Sequence, residues 1–128
     1  MEKKQPTFEE LLSHMEKTTG GDPRPMRVLG TIKPDFVFEQ ARSRKFVMEQ
    51  PLIPPKYKHL IMIAVAAAVE STMCTTVFMK AAQVAGVSKE EIAEAIMVAR
   101  QAKASTIFAT AVEGFEELLK IENNPEGK

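Results

Sequence analysis

The only cysteine of this 128-residue chain, Cys74, stands three residues after Ser71 and four after Glu70. A serine at that place suits the N-cap of a helix, its hydroxyl accepting an early backbone N–H. Cys74 would then fall at the third helical position, where free N–H groups and the helix dipole favour the nucleophilic thiolate. His59 precedes Glu70 by 11 residues, which on one continuous helix leaves only about 20° between the two side chains. A His59–Glu70–Cys74 cluster at one helix junction would be able to move protons. Plainer readings stand beside these. Free cysteine is among the most buried residue types and packs inertly, His59 suits the exposed start of a helix, and a carboxylate beside Cys74 opposes its ionisation.

The elements that must position these residues are helical. Thr7-Phe8-Glu9-Glu10 reads as a capping box, followed by Phe8, Leu11, Leu12 and Met15 at helical spacing. Gly20-Gly21 ends that helix, and Asp22-Pro23-Arg24-Pro25 reads as a turn or extended link. Pro34 to Met48 forms a second helix, and Pro51, Pro54 and Pro55 then interrupt the chain. Lys56 to Val69 is rich in leucine, isoleucine, methionine and alanine and makes the central helix. Ser71 or Thr72 opens a helix that runs to Ala85, with Gly86 as its stop. Ser88-Lys89-Glu90-Glu91 is a second capping box, opening a helix to about Ala102. A last helix starts at Ser105. No segment alternates with a period of two and no internal repeat is present, so the expectation is one all-α domain over 1–128 with five or six helices.

Charge and composition exclude several function classes. Lys plus Arg and Asp plus Glu both number 17, so the formal net charge is zero, and nothing recommends a nucleic-acid or membrane-surface partner. The ten-residue apolar run from Leu60 to Val69 is half of what a membrane span needs. No signal-peptide core follows Met1, and one cysteine makes no internal disulfide, so a cytoplasmic protein is expected. Neither His14 and His59 nor Cys74 shows a metal-ligand spacing, and Gly20-Gly21 lacks the context of a phosphate loop, so no metal and no cofactor are expected. Arg42, Arg44 and Lys45 read as a solvated helix face, and the eight methionines as flexible core filling.

Two strings carry a resemblance: Leu60-Ile61-Met62-Ile63-Ala64-Val65-Ala66-Ala67-Ala68, and Ala81-Ala82-Gln83-Val84-Ala85-Gly86-Val87-Ser88-Lys89-Glu90-Glu91-Ile92-Ala93-Glu94-Ala95-Ile96. Over residues 52–104 the chain resembles the carboxymuconolactone decarboxylase and alkylhydroperoxidase D-like family. The resemblance implies an all-helical fold and a homo-oligomer, a homotrimer or homohexamer. The redox branch of that family uses Cys-x-x-Cys-x-x-x-His with an upstream glutamate. Here those positions hold Ser71, Cys74, Phe78 and His59, so one of four matches. Serine cannot close a disulfide and Phe78 cannot carry a proton, which leaves a two-cysteine peroxidase cycle without its parts.

Three functions follow as expectations. In the first, Cys74 is a single peroxide-reactive thiol reduced by an external thiol. In the second, the protein is a cofactor-free lyase or isomerase of a small carboxylated lactone or related acid. That would require a cation for the carboxylate and an acid for protonation at carbon, with Lys58, His59 and Lys80 as candidates by position. The third is a ligand-binding oligomer without a reaction.

Overall fold

The computed structural model describes residues 4–124 and 126. Six helices follow one another: α1 (Phe8–Thr19), α2 (Arg24–Ile32), α3 (Pro34–Glu49), α4 (Pro55–Ala68), α5 (Thr72–Val84) and α6 (Lys89–Asn123). No strand occurs among the described residues, so the all-α expectation holds.

Two boundaries differ from the sequence reading. The segment after Asp22 is a helix, not an extended link: Pro25 sits in its first turn, where the missing N–H costs nothing and the fixed φ suits the helix. The break expected before Ser105 does not exist. Ser105 donates its hydroxyl to the Gln101 carbonyl one turn back at 3.0 Å instead of capping a new helix, and no glycine or proline stands between Ala102 and Ser105. The result is a single helix of 35 residues, about 52 Å long.

Helix ends follow the local chemistry. Thr7 and Glu10 close a capping box on α1, and Ser88 and Glu91 close another on α6. Glu91 also pairs with Lys56 at 2.8 Å, joining the starts of α6 and α4. After α5, Gly86 takes φ 94°, a left-handed conformation that glycine adopts without penalty, and turns the chain back so that the Val87 N–H donates to the Ala82 carbonyl at 2.9 Å.

The centre of the fold is α4, which packs against both α5 and α6. Its fully buried Ile63 meets Ala82, Val87 and Ile92, and Leu60, Phe78, Met79 and Ile96 pack around them. Alanines 66, 81 and 82 are buried, and small side chains let the α4 and α5 backbones approach closely. Phe78 therefore fills core space. On the other side, α1 covers α5 and α2 lies on α1. Gly30 of α2 faces the Phe8 ring so closely that a Cβ there would stand 1.9 Å from it.

Beyond Ala102 the long α6 leaves this core. Ile107, Phe108, Phe115, Leu118 and Leu119 are exposed, Phe108 at 74 %. Contiguous exposed apolar surface of this kind commonly marks an interaction site.

Candidate active site

The predicted site residues divide between the two ends of α4. His59 is the fifth residue of that helix, while Glu70 lies beyond its last residue, Ala68. The nine helical steps from His59 to Ala68 span roughly 14 Å along the axis, and Glu70 lies beyond them. The shared face expected from their spacing does not bring them together, because the helix also ends before Glu70. One junction does hold Glu70, Ser71 and Cys74. His59 belongs to another place.

At the first end, Lys58 and His59 are buried, each 8 % exposed, so His59 is not the solvated residue that a helix start suggested. The Lys58 ammonium donates to the carbonyls of Met48 (3.0 Å) and Gln50, clipping the open C-terminal turn of α3 to the start of α4. Burial lowers the pKa of the His59 imidazole below its ordinary 6.5, and the nearby positive charge of Arg44 lowers it further. Burial also lowers the pKa of the Arg44 guanidinium. Arg44 is thus more than part of a solvated basic face. Lys58 is engaged with backbone, and Lys80, on α5, is exposed beside Gly21.

At the second end the chain makes a tight reversal between α4 and α5. The Glu70 N–H donates to the Ala67 carbonyl at 3.1 Å and the Ser71 N–H to the Ala66 carbonyl at 3.0 Å. This is the paired closure of a Schellman turn, in which the residue after the C-cap must be left-handed. Glycine usually fills that place. Here it is Glu70, at φ 63°, the only non-glycine residue with positive φ among those described.

Ser71 then caps α5, its hydroxyl accepting the Cys74 N–H at 3.4 Å, as the spacing predicted. Cys74 sits at the third position of the helix and is exposed in a single copy of the chain.

Two clefts flank this reversal. One, of 240 Å³, is lined by Ala67, Glu70, Ser71, Thr72, Thr75 and Thr76. The Thr75 and Thr76 hydroxyls donate to the Ser71 and Thr72 carbonyls at 2.7 and 2.9 Å, and Glu70 is the one ionisable residue among those that line it. The other, of 430 Å³, runs between α4 and α6. Ala67 lines both. Cys74 lines neither.

Arg100 and Lys103 border the larger groove and were not among the sequence candidates. Their signal was present: they are two cations three residues apart, within an alanine-rich stretch of α6 whose residues 96, 99, 100, 103, 104 and 107 fall at helical spacing. No group of three or more His, Cys, Asp or Glu residues with metal-binding proximity occurs among the described residues. No described helix is long and apolar enough to cross a membrane.

A sequence profile of the carboxymuconolactone decarboxylase family matches residues 38–117, well beyond the 52–104 span that carried the resemblance. Among solved structures, a provisionally named carboxymuconolactone decarboxylase from Burkholderia xenovorans LB400 shares 26% sequence identity. It superposes with a TM-score of 0.63 over 89% of this chain and 98% of that one. No curated protein matches the chain. The profile covers α3 from Phe38 through most of α6, more than half of the chain, and contains both ends of α4 and both clefts. This chain belongs to the carboxymuconolactone decarboxylase family.

Proposed function

We propose that the protein is a lyase or isomerase of a small organic acid, a carboxylated lactone or a related compound, with Glu70 as the group that moves the proton. The observation that carries this reading is the backbone of Glu70, a charged residue in a position where glycine is the usual occupant. A left-handed conformation costs a non-glycine residue roughly 1–3 kcal/mol, and residues held so concentrate at functional sites. The turn itself would close more easily with glycine, so the carboxylate is kept for something other than the turn.

Its chemistry follows from its place on the cleft wall. In a decarboxylation the carbon–carbon bond to the substrate carboxylate breaks and carbon dioxide leaves. The electron pair stays on the substrate carbon until the Glu70 carboxyl delivers a proton there, and Glu70 regains its proton from water. In an isomerisation the Glu70 carboxylate takes a proton from one carbon and returns it to another. Neither step draws on Cys74. Wild-type protein should release carbon dioxide from a carboxylated lactone such as carboxymuconolactone, and Glu70→Gln should lower kcat at least about 100-fold with an unchanged circular-dichroism spectrum. Full activity in Glu70→Gln would remove Glu70 from the reaction.

One observation favours a second reading: Cys74 is exposed on the first turn of α5. A thiolate there would attack a peroxide, forming a sulfur–oxygen bond as the O–O bond breaks and an alcohol or water leaves. Two equivalents of external thiol would then return the sulfenic acid to thiol and carry away the oxygen as water. Peroxide consumption with external thiol, lost in Cys74→Ser, supports this reading; an inert wild type ends it.

Self-association belongs to both readings, since Phe108, Phe115, Leu118 and Leu119 of α6 are exposed in one copy. A homotrimer or homohexamer would cover it, and a solution mass equal to the 14.2 kDa chain would contradict it.

A further inference from the structure

We propose that the groove between α4 and α6 is a binding site for an amphipathic monocarboxylate, an acid with a medium-length alkyl body, whose carboxylate is taken by Arg100 and Lys103. The inference goes beyond the Glu70 reading, which needs only the smaller cleft.

The groove is open to solvent along one side and holds 430 Å³, a volume within the range of about 300–1,000 Å³ typical of ligand pockets. Its lining divides into two kinds of residue. Ala67, Ala68, Ile96, Ala99, Ala104 and Ile107 make the walls, and Arg100 and Lys103 supply the only charges. From Ile96 to Ile107 the groove follows α6 for roughly 16 Å, so it suits an elongated body more than a compact ring. No carboxylate lines it, so a cationic ligand would meet only like charge. A small, highly polar acid would leave the alanine and isoleucine walls unused.

Both cations have capacity for a ligand. The Lys103 ammonium donates to the Ala68 carbonyl at 2.6 Å, which uses one of its three donors and anchors it at the C-terminal end of α4. Arg100 takes part in none of the ion pairs among the described residues, and its planar guanidinium matches a carboxylate with two parallel hydrogen bonds. Because Ala67 also forms part of the Glu70 cleft, an acid held here lies beside that cleft.

The test is calorimetric titration of the full chain with octanoate and with octanamide, its neutral counterpart of equal length. Octanoate should bind saturably, with octanamide at least about tenfold weaker. Arg100→Gln removes an exposed side chain that holds nothing in the fold, and should weaken octanoate about tenfold. Ala104→Phe should block both ligands by filling the groove. Glu70→Gln should bind octanoate as wild type does, which separates this site from turnover. Equal affinity for the two ligands, or no effect of Arg100→Gln, would overturn the proposal. So would the absence of saturable binding, the result expected if a second copy of the chain fills the groove.

Discussion

The two ends of α4 carry comparable numbers of chemically capable side chains and treat them in opposite ways. At its start, Lys58 and His59 are buried; Lys58 is spent on backbone carbonyls, and the pKa of His59 is lowered by burial and by the positive charge of Arg44. At its end, Glu70, Ser71 and Cys74 lie around an open reversal of the chain, with clefts on both sides of Ala67. The first end uses charge to fix helices. The second holds a carboxylate in a backbone conformation that the fold alone would assign to glycine. On the proposed function, the strained residue on a cleft carries the chemistry and the group with the shifted pKa does not.

The largest effect that separates the two ends is catalytic. Glu70→Gln should lose at least about 100-fold in kcat, whereas His59→Gln should keep kcat within a few-fold. Glu70→Gly sharpens the same contrast: it should be equally inactive yet more stable by about 1 kcal/mol, because glycine takes φ near 63° without strain. Denaturant titration measures that gain, and a loss of stability would mean that the carboxylate supports the turn.

A smaller effect lies at the buried end and is read by pH. The folded pKa of His59 is below its unfolded value of 6.5. Below pH 6.5 the unfolded chain therefore binds more protons than the folded one. Stability from this group is fully present above pH 6.5 and is lost as the pH falls from there toward the folded pKa. Unfolding curves between pH 7.5 and 5 should show that decline in wild type, and His59→Gln should flatten it. An unchanged slope would mean that His59 is not held neutral by burial.

The smallest effect is expected at Cys74. Lyase or isomerase turnover should survive Cys74→Ser within about twofold, since the thiol lines neither cleft. A loss as large as that of Glu70→Gln would move the chemistry to α5 and favour the thiol reading.

Much of this was legible in the sequence because it is local. Capping at Thr7, Ser71 and Ser88, the stop at Gly86 and the apolar spacing of α4 all depend on residues within one or two turns. The Ser71–Cys74 relation came through for the same reason. What was not legible depends on where helices end. The 11-residue spacing of His59 and Glu70 fixed their angle and, on a continuous helix, a rise of roughly 16 Å, but not the end of α4 at Ala68. A proline that starts α2 has the same appearance as one that breaks a chain. The strain at Glu70 has no sequence signal, because it arises from the closure of a turn between two packed helices. The spacing of Arg100 and Lys103 was in the sequence, but that they border a groove shows only where α6 lies along α4.

The most direct test is to measure carbon dioxide release from carboxymuconolactone by wild type, Glu70→Gln and His59→Gln side by side, with folding of each confirmed by circular dichroism. The account predicts turnover by wild type and by His59→Gln, with Glu70→Gln at least about 100-fold slower in kcat. Turnover that survives in Glu70→Gln and vanishes in folded His59→Gln would place the reaction at the other end of α4 and contradict it.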